Sequence, residues 1–149
     1  MNLHDPVRSV LHHKGREIYS IDPEASVYEA LETMAGRRVG ALLVMSDGRL
    51  AGLVSERDYA RKVILKGKSS RDTSVREIMT APPVTVTPAE TVDECMRLMT
   101  EHRIRHLPIV ENEWVLGIVS IGDLVNWIIS AQEQAIHQLH SYIAGNYPG

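Results

Sequence analysis

Two short segments of the chain place an aspartate three positions after a serine. They are Ser55 with Asp58 and Ser120 with Asp123, and the pattern glycine, apolar residue, valine precedes both serines. In each segment a β-rich apolar stretch ends at the serine and an amphipathic helical pattern begins, so the serine is predicted to be the helix N-cap. A helix N-terminus attracts phosphate, and an ionised carboxylate can accept two hydrogen bonds from a ribose diol. The chemistry that suits these residues is therefore nucleotide binding.

Other interpretations of the polar residues compete with this one. A Ser-x-x-Asp segment is also a purely structural capping arrangement, and its duplication is what favours ligand contact. His137 and His140, like the pair His12 and His13, lack a carboxylate or cysteine at metal-ligand spacing, so no metal site is predicted. The glycines of residues 117–122 lack the Lys-Ser/Thr pair of a phosphate-binding loop. No nucleophile and base stand at a fixed spacing, so an enzyme is not expected.

The elements that must position these residues form an internal repeat. Residues 18–64 align with residues 83–129 without a gap, and Pro23 matches Pro88 while Arg38 matches Arg103. Each copy is too small to close a core alone, so the two copies are expected to pack on each other.

The first copy predicts a strand, a helix, a hairpin and a second helix. The strand is Ile18–Ile21, and Asp22 and Pro23 are predicted as N-cap and first residue of the helix. The hairpin strands are residues 41–45 and 50–54, joined by a polar turn. The buried face of the helix is predicted to contain Val27, Ala30, Leu31 and Met34.

The second copy repeats this order. Thr87, Pro88 and Glu90 are predicted to form a capping box, and the hairpin strands are residues 106–110 and 114–119. The predicted buried face contains Val92, Cys95, Met96 and Met99. The last helix is predicted to continue past Ile128 and Ile129, along a stripe formed by Ala135, Ile136, Leu139, Tyr142 and Ile143, until Gly145 and Pro148 end it.

Composition and charge limit the function classes. The chain has 149 residues, of which 44% are hydrophobic and 23% charged, and its net charge is −3. This balance is ordinary for a globular protein and gives no basic surface for nucleic acid. Cys95 is the only cysteine. No apolar stretch reaches the length of a membrane span, and the N-terminal residues do not resemble a signal peptide, so a soluble, cytoplasmic protein without membrane or nucleic-acid partners is predicted.

The repeated motif, together with Arg103-Ile104-Arg105-His106-Leu107-Pro108 before the second hairpin, resembles a tandem pair of cystathionine-β-synthase (CBS) domains, called a Bateman module. The resemblance is to small stand-alone bacterial members. It implies an α/β (α+β) fold in which two pseudo-symmetric β-α-β-β-α repeats pack as one module, with an extended C-terminal helix. The expected boundaries are residues 7–66 for the first CBS domain, 67–74 for a linker, 75–131 for the second CBS domain and 132–145 for the helical extension.

The resemblance also implies a ligand and its contacts. Such pairs bind AMP, ADP, ATP, NAD(H) or S-adenosylmethionine in clefts between the two copies, and AMP is the first expectation here, with no metal. The expected residues of one site are Ser55, Arg57, Asp58, Leu53, Thr80, Val84, Ile104 and His106. The expected residues of the other are Ser120, Asp123, Ile118, Lys14, Tyr19, Val39 and Ala41, with phosphate near Arg105 and His106. The first site has Arg57 where the second has Gly122, and occupancy of the first is favoured. Arg103 and Arg105 are also compatible with ordinary surface charges.

The predicted function is that of a regulatory protein, a homodimer that binds an adenine nucleotide and signals to an unknown protein target by a change of conformation. The alternative is a ligand-independent interaction or scaffold protein that acts through its C-terminal helix and dimer face.

Overall fold

The computed structural model describes residues 2–15 and 17–143 and has a mixed α/β architecture. Its elements are α1 (Val7–Lys14), β1 (Ser20–Ile21), α2 (Val27–Arg37), β2 (Ala41–Ser46), β3 (Arg49–Ser55), α3 (Glu56–Tyr59), a π-helical turn (Ala60–Ile64), α4 (Val75–Ile78), α5 (Val92–His102), β4 (His106–Glu111), β5 (Trp114–Ser120) and α6 (Ile121–Ile143). None of the helices in the described residues is long and apolar enough to cross a membrane.

The residues cluster into two units that do not follow the sequence repeat. The α6 unit consists of Met1–Arg16, Val86–Leu107 and Ile118–Gly149, and the β1 unit consists of Glu17–Thr85 and Pro108–Gly117. The segment before each repeat therefore belongs to the unit that holds the helix of the other repeat.

The residues before each repeat, which we call its leading segment, are attached by backbone hydrogen bonds to the residues just before the first helix of the other repeat. In the α6 unit, the amide of Val7 in α1 donates to the carbonyl of Glu90 (2.6 Å), just before α5. In the β1 unit, the amide of Val75 in α4 donates to the carbonyl of Ala25 (2.8 Å), just before α2. A helix N-terminus has amides without intrahelical partners, and these bonds satisfy one on each leading helix. Neither α1 nor α4 is predicted by the sequence pattern.

The sheet of the first repeat provides the core of the β1 unit. Strand β1 is parallel to β2, and β2 is antiparallel to β3 with Ala41 opposite Ser55. The buried cluster around them is apolar and contains Val27, Ala30, Met34, Leu42, Val44, Val54, Val63, Val75 and Ile78. In the second repeat β4 and β5 form a two-stranded sheet, and no twin of β1 is formed in the described residues.

Two predicted helix starts are wrong. Helix α2 begins at Val27, with Ser26 as N-cap and its hydroxyl accepting from the amide of Glu29 (3.1 Å). Helix α5 begins at Val92, with Thr91 in the same role. Asp22 and Pro23, like Thr87 and Pro88, precede these caps by about one turn, and Glu90 comes directly before Thr91. The carbonyls of Pro23 and Pro88 instead accept hydrogen bonds from α4 and α1. Long-range bonds to the leading segments thus decide the helix starts.

The helix faces mostly follow the predicted pattern. Leu31 and Met96 are half-buried, whereas the other six predicted positions are buried. Burial raises the pKa of the Cys95 thiol to about 12, so this cysteine is a packing residue with an unreactive thiol. Helix α6 continues well past Ile129, which confirms the predicted extension, while Gly145 and Pro148 lie outside the described residues.

Candidate functional site

The Ser55 segment is a helix N-cap, which confirms its prediction. The Ser55 hydroxyl accepts from the amide of Asp58 (3.3 Å), and the Asp58 carboxylate atom Oδ2 accepts from the amide of Ser55 (2.9 Å). The same carboxylate oxygen accepts from the Ser55 hydroxyl (3.1 Å). The reciprocal bonds form a capping box at the start of α3.

The Ser120 segment has the same geometry at the start of α6. The Ser120 hydroxyl accepts from the amide of Asp123 (3.1 Å), and Oδ2 of Asp123 accepts from the amide of Ser120 (2.8 Å). A carboxylate offers about four acceptor positions, so capping leaves acceptor capacity in both boxes. The structural role and a ligand role are therefore compatible.

Each box is also bonded to the residue that enters the hairpin of its own repeat. The amide of Glu56 donates to the carbonyl of Gly40 (3.0 Å), and the amide of Ile121 donates to the carbonyl of Arg105 (2.9 Å). This fixes Arg105 beside the Ser120 box. Phosphate is predicted near Arg105 at that box. Arg57 is predicted at the Ser55 box, and its side chain is exposed.

A lysine ammonium is bonded to each aspartate. In the β1 unit, Nζ of Lys62 lies 3.2 Å from Oδ1 of Asp58 and donates to the carbonyl of Ile78 (2.8 Å). In the α6 unit, Nζ of Lys14 lies 2.6 Å from Oδ2 of Asp123 and donates to the carbonyl of Ile118 (3.0 Å). The Lys62 side chain is 44% exposed and the Lys14 side chain 32%. The cation at Asp123 is thus the closer and the more enclosed of the two.

Strand β3 brings three predicted residues of the first site together. The amide of Leu53 donates to the carbonyl of Thr80 (3.1 Å), and the amide of Thr80 donates back to Leu53 (2.8 Å). Gly52 permits this pairing, because a Cβ there would lie 2.7 Å from the Thr80 carbonyl oxygen and 2.9 Å from Sδ of Met79. Thr80 is thereby held against the strand that ends at Ser55.

His106 belongs electrostatically to the Ser120 box. Burial lowers the pKa of its imidazole, the Asp123 carboxylate partly opposes that shift, and the cations of Lys14 and Arg105 add to it. His106 is therefore neutral at pH 7 and can offer a hydrogen bond, but not a charge, to a phosphate.

The remaining predicted contacts are spread over the two units. In the β1 unit, the Arg37 guanidinium lies 5.1 Å from the ring centre of Tyr19, Val39 packs against the core, and Ala41 is paired with Ser55. Val84 is half-buried. In the α6 unit, Ile104 is half-buried after α5, and its amide donates to the carbonyl of Met99 (3.0 Å).

A family model of the CBS domain matches residues 7–65 and residues 75–130. The chain belongs to the CBS domain family. This confirms the resemblance to a tandem pair, and the mixed α/β fold with two repeats and a long last helix agrees with it.

Relatives and solved structures agree on the family. The chain is 42% identical over 127 residues to the mitochondrial CBS domain-containing protein CBSX3 of Arabidopsis thaliana, a match that covers 82% of this chain and 62% of that one. It is 47% identical to a protein of Burkholderia ambifaria named for signal transduction and CBS domains, with a TM-score of 0.83 and coverage of 86% and 96%. Both names refer to CBS domains and not to a reaction, in agreement with the prediction of a non-catalytic CBS pair.

Two further solved structures are of a ligand complex and of an oligomer. The CBS domain pair of protein MJ0100, in complex with 5′-methylthioadenosine and S-adenosyl-L-methionine, is 23% identical with a TM-score of 0.76, covering 85% of this chain and 98% of that one. A CBS-CP12 protein from bloom-forming cyanobacteria, described as hexameric, is 28% identical with a TM-score of 0.74, covering 81% and 70%.

The α6 unit of this CBS pair contains a small cavity beside the Ser120 box. Its volume is about 140 Å³, and it is lined by residues of α1 and α6, namely Val10, His13, Lys14, Asp123, Asn126, Trp127 and Ser130. Ligand pockets for drug-sized molecules are roughly 300–1,000 Å³, so this cavity is too small for a nucleoside. Among the described residues, no group of three or more His, Cys, Asp or Glu could hold a metal ion.

Two residues of the CBS pair were missed by sequence reasoning. Lys62 stands four positions after Asp58 on a helical segment, and the rule for such pairs predicts their contact. Gly52 is part of the repeated motif, but its role depends on Thr80, which is distant in the sequence and not predictable from local pattern.

Proposed function

We propose that this protein is a regulatory CBS pair that binds an adenosine-containing ligand, AMP in the first instance, and signals through a change of conformation. NAD(H), ATP, ADP and S-adenosylmethionine are the alternative ligands. The complex of MJ0100 with adenosyl compounds supports the ligand class. The observation that carries the proposal is the duplicated capping box, in which each aspartate keeps acceptor capacity beside a helix N-terminus.

The Ser55 box is the proposed site of tighter binding. Asp58 is opposed by an ammonium at 3.2 Å, whereas Asp123 is opposed by one at 2.6 Å. A ribose hydroxyl that donates to Asp58 therefore competes with the weaker partner. Arg57 adds a cation to the Ser55 loop for phosphate, where the Ser120 loop has Gly122. Leu53 and Thr80, held together by β3, supply neighbouring apolar and polar surface for the base.

The remaining predicted contacts belong to the same proposal. We assign Ser120, Asp123, Ile118, Lys14, Tyr19, Val39 and Ala41 to the weaker site, with Arg105 and His106 near the phosphate. Val84, Ile104 and His106 are assigned to the Ser55 box as contacts of the base. Signalling requires that the ligand bind one arrangement of the protein more tightly than another. A homodimer, an unknown protein target and a cytoplasmic location complete the proposal.

The test is thermal unfolding of the protein with AMP, ATP, NAD, NADH and S-adenosylmethionine, comparing the wild type with Asp58→Asn. A ligand at 100 times its Kd adds about 2.7 kcal/mol, and a chain of this size gains roughly 2–4 °C per kcal/mol. Asp58→Asn removes hydrogen bonds to a charged acceptor, each worth about 1.5–3 kcal/mol, so we expect the Kd to rise at least tenfold.

Asp72→Asn is the matched control, because Asp72 is an exposed aspartate of the same unit outside the box. It is expected to leave the ligand-induced shift unchanged. A shift that is equal in the wild type, Asp58→Asn and Asp123→Asn contradicts the ribose role. Ligand-free wild-type protein that shows no shift with any compound favours the scaffold alternative, which the exposed apolar residues of α6 support.

A further inference from the structure

Helix α6 has two separate apolar faces. The first contains Leu124 and Trp127, which are buried in the α6 unit. The second is exposed, and its side chains become more exposed along the helix, from 45% at Ile129 to 61% at Ile136 and 75% at Ile143. An isolated helical segment of this length is marginal in water, so the exposed half of α6 requires a partner.

The exposed face follows a heptad repeat. Its positions alternate in spacing between four and three residues, and we call them the α6 seam: Val125, Ile129, Gln132, Ile136, Leu139 and Ile143. This spacing assigns Ile129, Ile136 and Ile143 to position a of the heptad. Val125, Gln132 and Leu139 then occupy position d. A period of 3.5 residues is typical of helices that wind around a partner with the same repeat.

The residue types select a second copy of this chain as that partner. Isoleucine occupies all three a positions and leucine one of the three d positions, and β-branched residues at position a with leucine at position d favour two parallel strands. A membrane surface is a poor alternative, because residues 121–143 contain no lysine or arginine to meet anionic headgroups. We propose that the α6 seam forms a parallel, two-stranded coiled coil between two copies of the protein.

Gln132 and Glu133 determine the orientation. In the parallel arrangement all six seam positions meet their own counterparts, so Gln132 faces Gln132 of the partner subunit, and the two amides can hydrogen-bond. An antiparallel arrangement with the same overlap places Gln132 opposite Ile136 of the partner subunit. It also brings Glu133 close to Glu133 of the partner subunit, a like-charge contact that is unfavourable. The seam covered by the parallel form is about 27 Å long.

The first test is the molar mass of the full chain by light scattering after size-exclusion chromatography at several concentrations. The double variant Ile136→Glu, Leu139→Glu places four carboxylates in the seam of a dimer, so we expect at least a hundredfold rise in the dimer Kd. The matched control is Gln134→Glu, Gln138→Glu, which adds the same charges outside the seam and is expected to remain dimeric. A monomeric wild type, or a double seam variant that stays dimeric, overturns the proposal.

The second test is disulfide trapping under mild oxidation. Gln132→Cys is expected to form a covalent dimer, because the two cysteines meet in a parallel seam. Gln134→Cys is expected to stay monomeric on a non-reducing gel, since position 134 points away from the seam. Cys95 is buried in the α6 unit and does not interfere. Equal cross-linking of the two variants, or none at Gln132→Cys, overturns the parallel arrangement.

Discussion

The Ser55 and Ser120 boxes have matching hydrogen bonds but different cations. Each aspartate accepts a hydrogen bond from the amide of its own serine, and each is bonded to a lysine that also donates to a backbone carbonyl. At Asp58 the lysine is Lys62, four positions along the same helical segment. At Asp123 it is Lys14, which comes from the leading helix α1. The motif thus fixes the capping geometry, while residues outside the motif determine which lysine pairs with the aspartate carboxylate.

One aligned position explains why Asp123 has no lysine partner on its own helix. Lys62 aligns with Trp127, so the second repeat has no cation one turn after its aspartate. Trp127 instead donates its indole N–H to the carboxylate of Asp5 (3.1 Å), which precedes α1. Lys62 donates to the carbonyl of Ile78 in α4. In both units the side chain at this position hydrogen-bonds to the leading segment. Only Lys62 also contacts the aspartate of its own box.

The largest expected effect comes from Gly52→Ala, which tests whether the close approach of Thr80 distinguishes the Ser55 box. The new Cβ meets a backbone oxygen at 2.7 Å, so the strand pairing must shift. Overpacking of this kind costs about 1–3 kcal/mol of unfolding free energy. Urea unfolding followed by circular dichroism measures the loss.

Gly36→Ala is the control for that experiment. Gly36 lies in α2 with nothing within 4 Å of the added Cβ, so alanine is expected to stabilise the protein by up to about 1 kcal/mol. Similar unfolding free energies for the two variants would show that β3 adapts to the side chain and that the glycine is not needed there.

The predictable part of this fold is local. The hairpins, the capping serines and the long last helix follow from periodicity and residue type within a few positions, as Ser55 and Ser120 show. The starts of α2 and α5 were mistaken because Pro23 and Pro88 favour a helix start locally, whereas their carbonyls serve the leading segments α4 and α1. Contacts of this kind join residues far apart in the sequence, and no local pattern specifies them.

The candidate site shows the same limit. The repeat was sufficient to single out both serines and both aspartates, and their capping hydrogen bonds are confirmed. The ligand roles of Arg57 and Arg105 stay predictions. The resemblance placed Lys14 at the site of Asp123, but the repeat did not predict the bond between them, because α1 itself was not predicted. Nor did it predict the contact of Gly52 with Thr80, which depends on tertiary packing.

An intermediate effect is expected from the two lysines. Lys14→Met removes the ammonium that competes at Asp123, and a partly exposed ion pair is worth at most about 1 kcal/mol, so we expect affinity at the weaker site to rise about fivefold. Isothermal titration with the ligand identified by thermal unfolding measures the change in affinity and the number of ligands per chain.

Lys62→Met is the counterpart at the Ser55 box, where the longer 3.2 Å contact predicts a smaller gain in affinity. A loss of affinity in Lys14→Met would contradict competition and show that the contact of Lys14 with the ligand outweighs its competition for Asp123.

The smallest expected effect concerns pH and only the second repeat, because His106 aligns with Ala41. Burial lowers the pKa of His106 in the folded protein, opposed by Asp123 and assisted by Lys14 and Arg105. The unfolded chain takes up this proton near pH 6.5, whereas the folded protein takes it up only at lower pH. The contribution of His106 to stability is therefore complete above about pH 6.5 and is lost as the pH falls towards the pKa of the folded state. Between pH 7.5 and pH 5.5, the urea midpoint is expected to fall less in His106→Asn than in the wild type. The control is His102→Asn, which changes an exposed histidine of the same unit and is expected to behave as the wild type does. An equal fall in all three proteins would mean that His106 takes up its proton in the folded protein as readily as in the unfolded chain. The two boxes would then not differ in pH sensitivity.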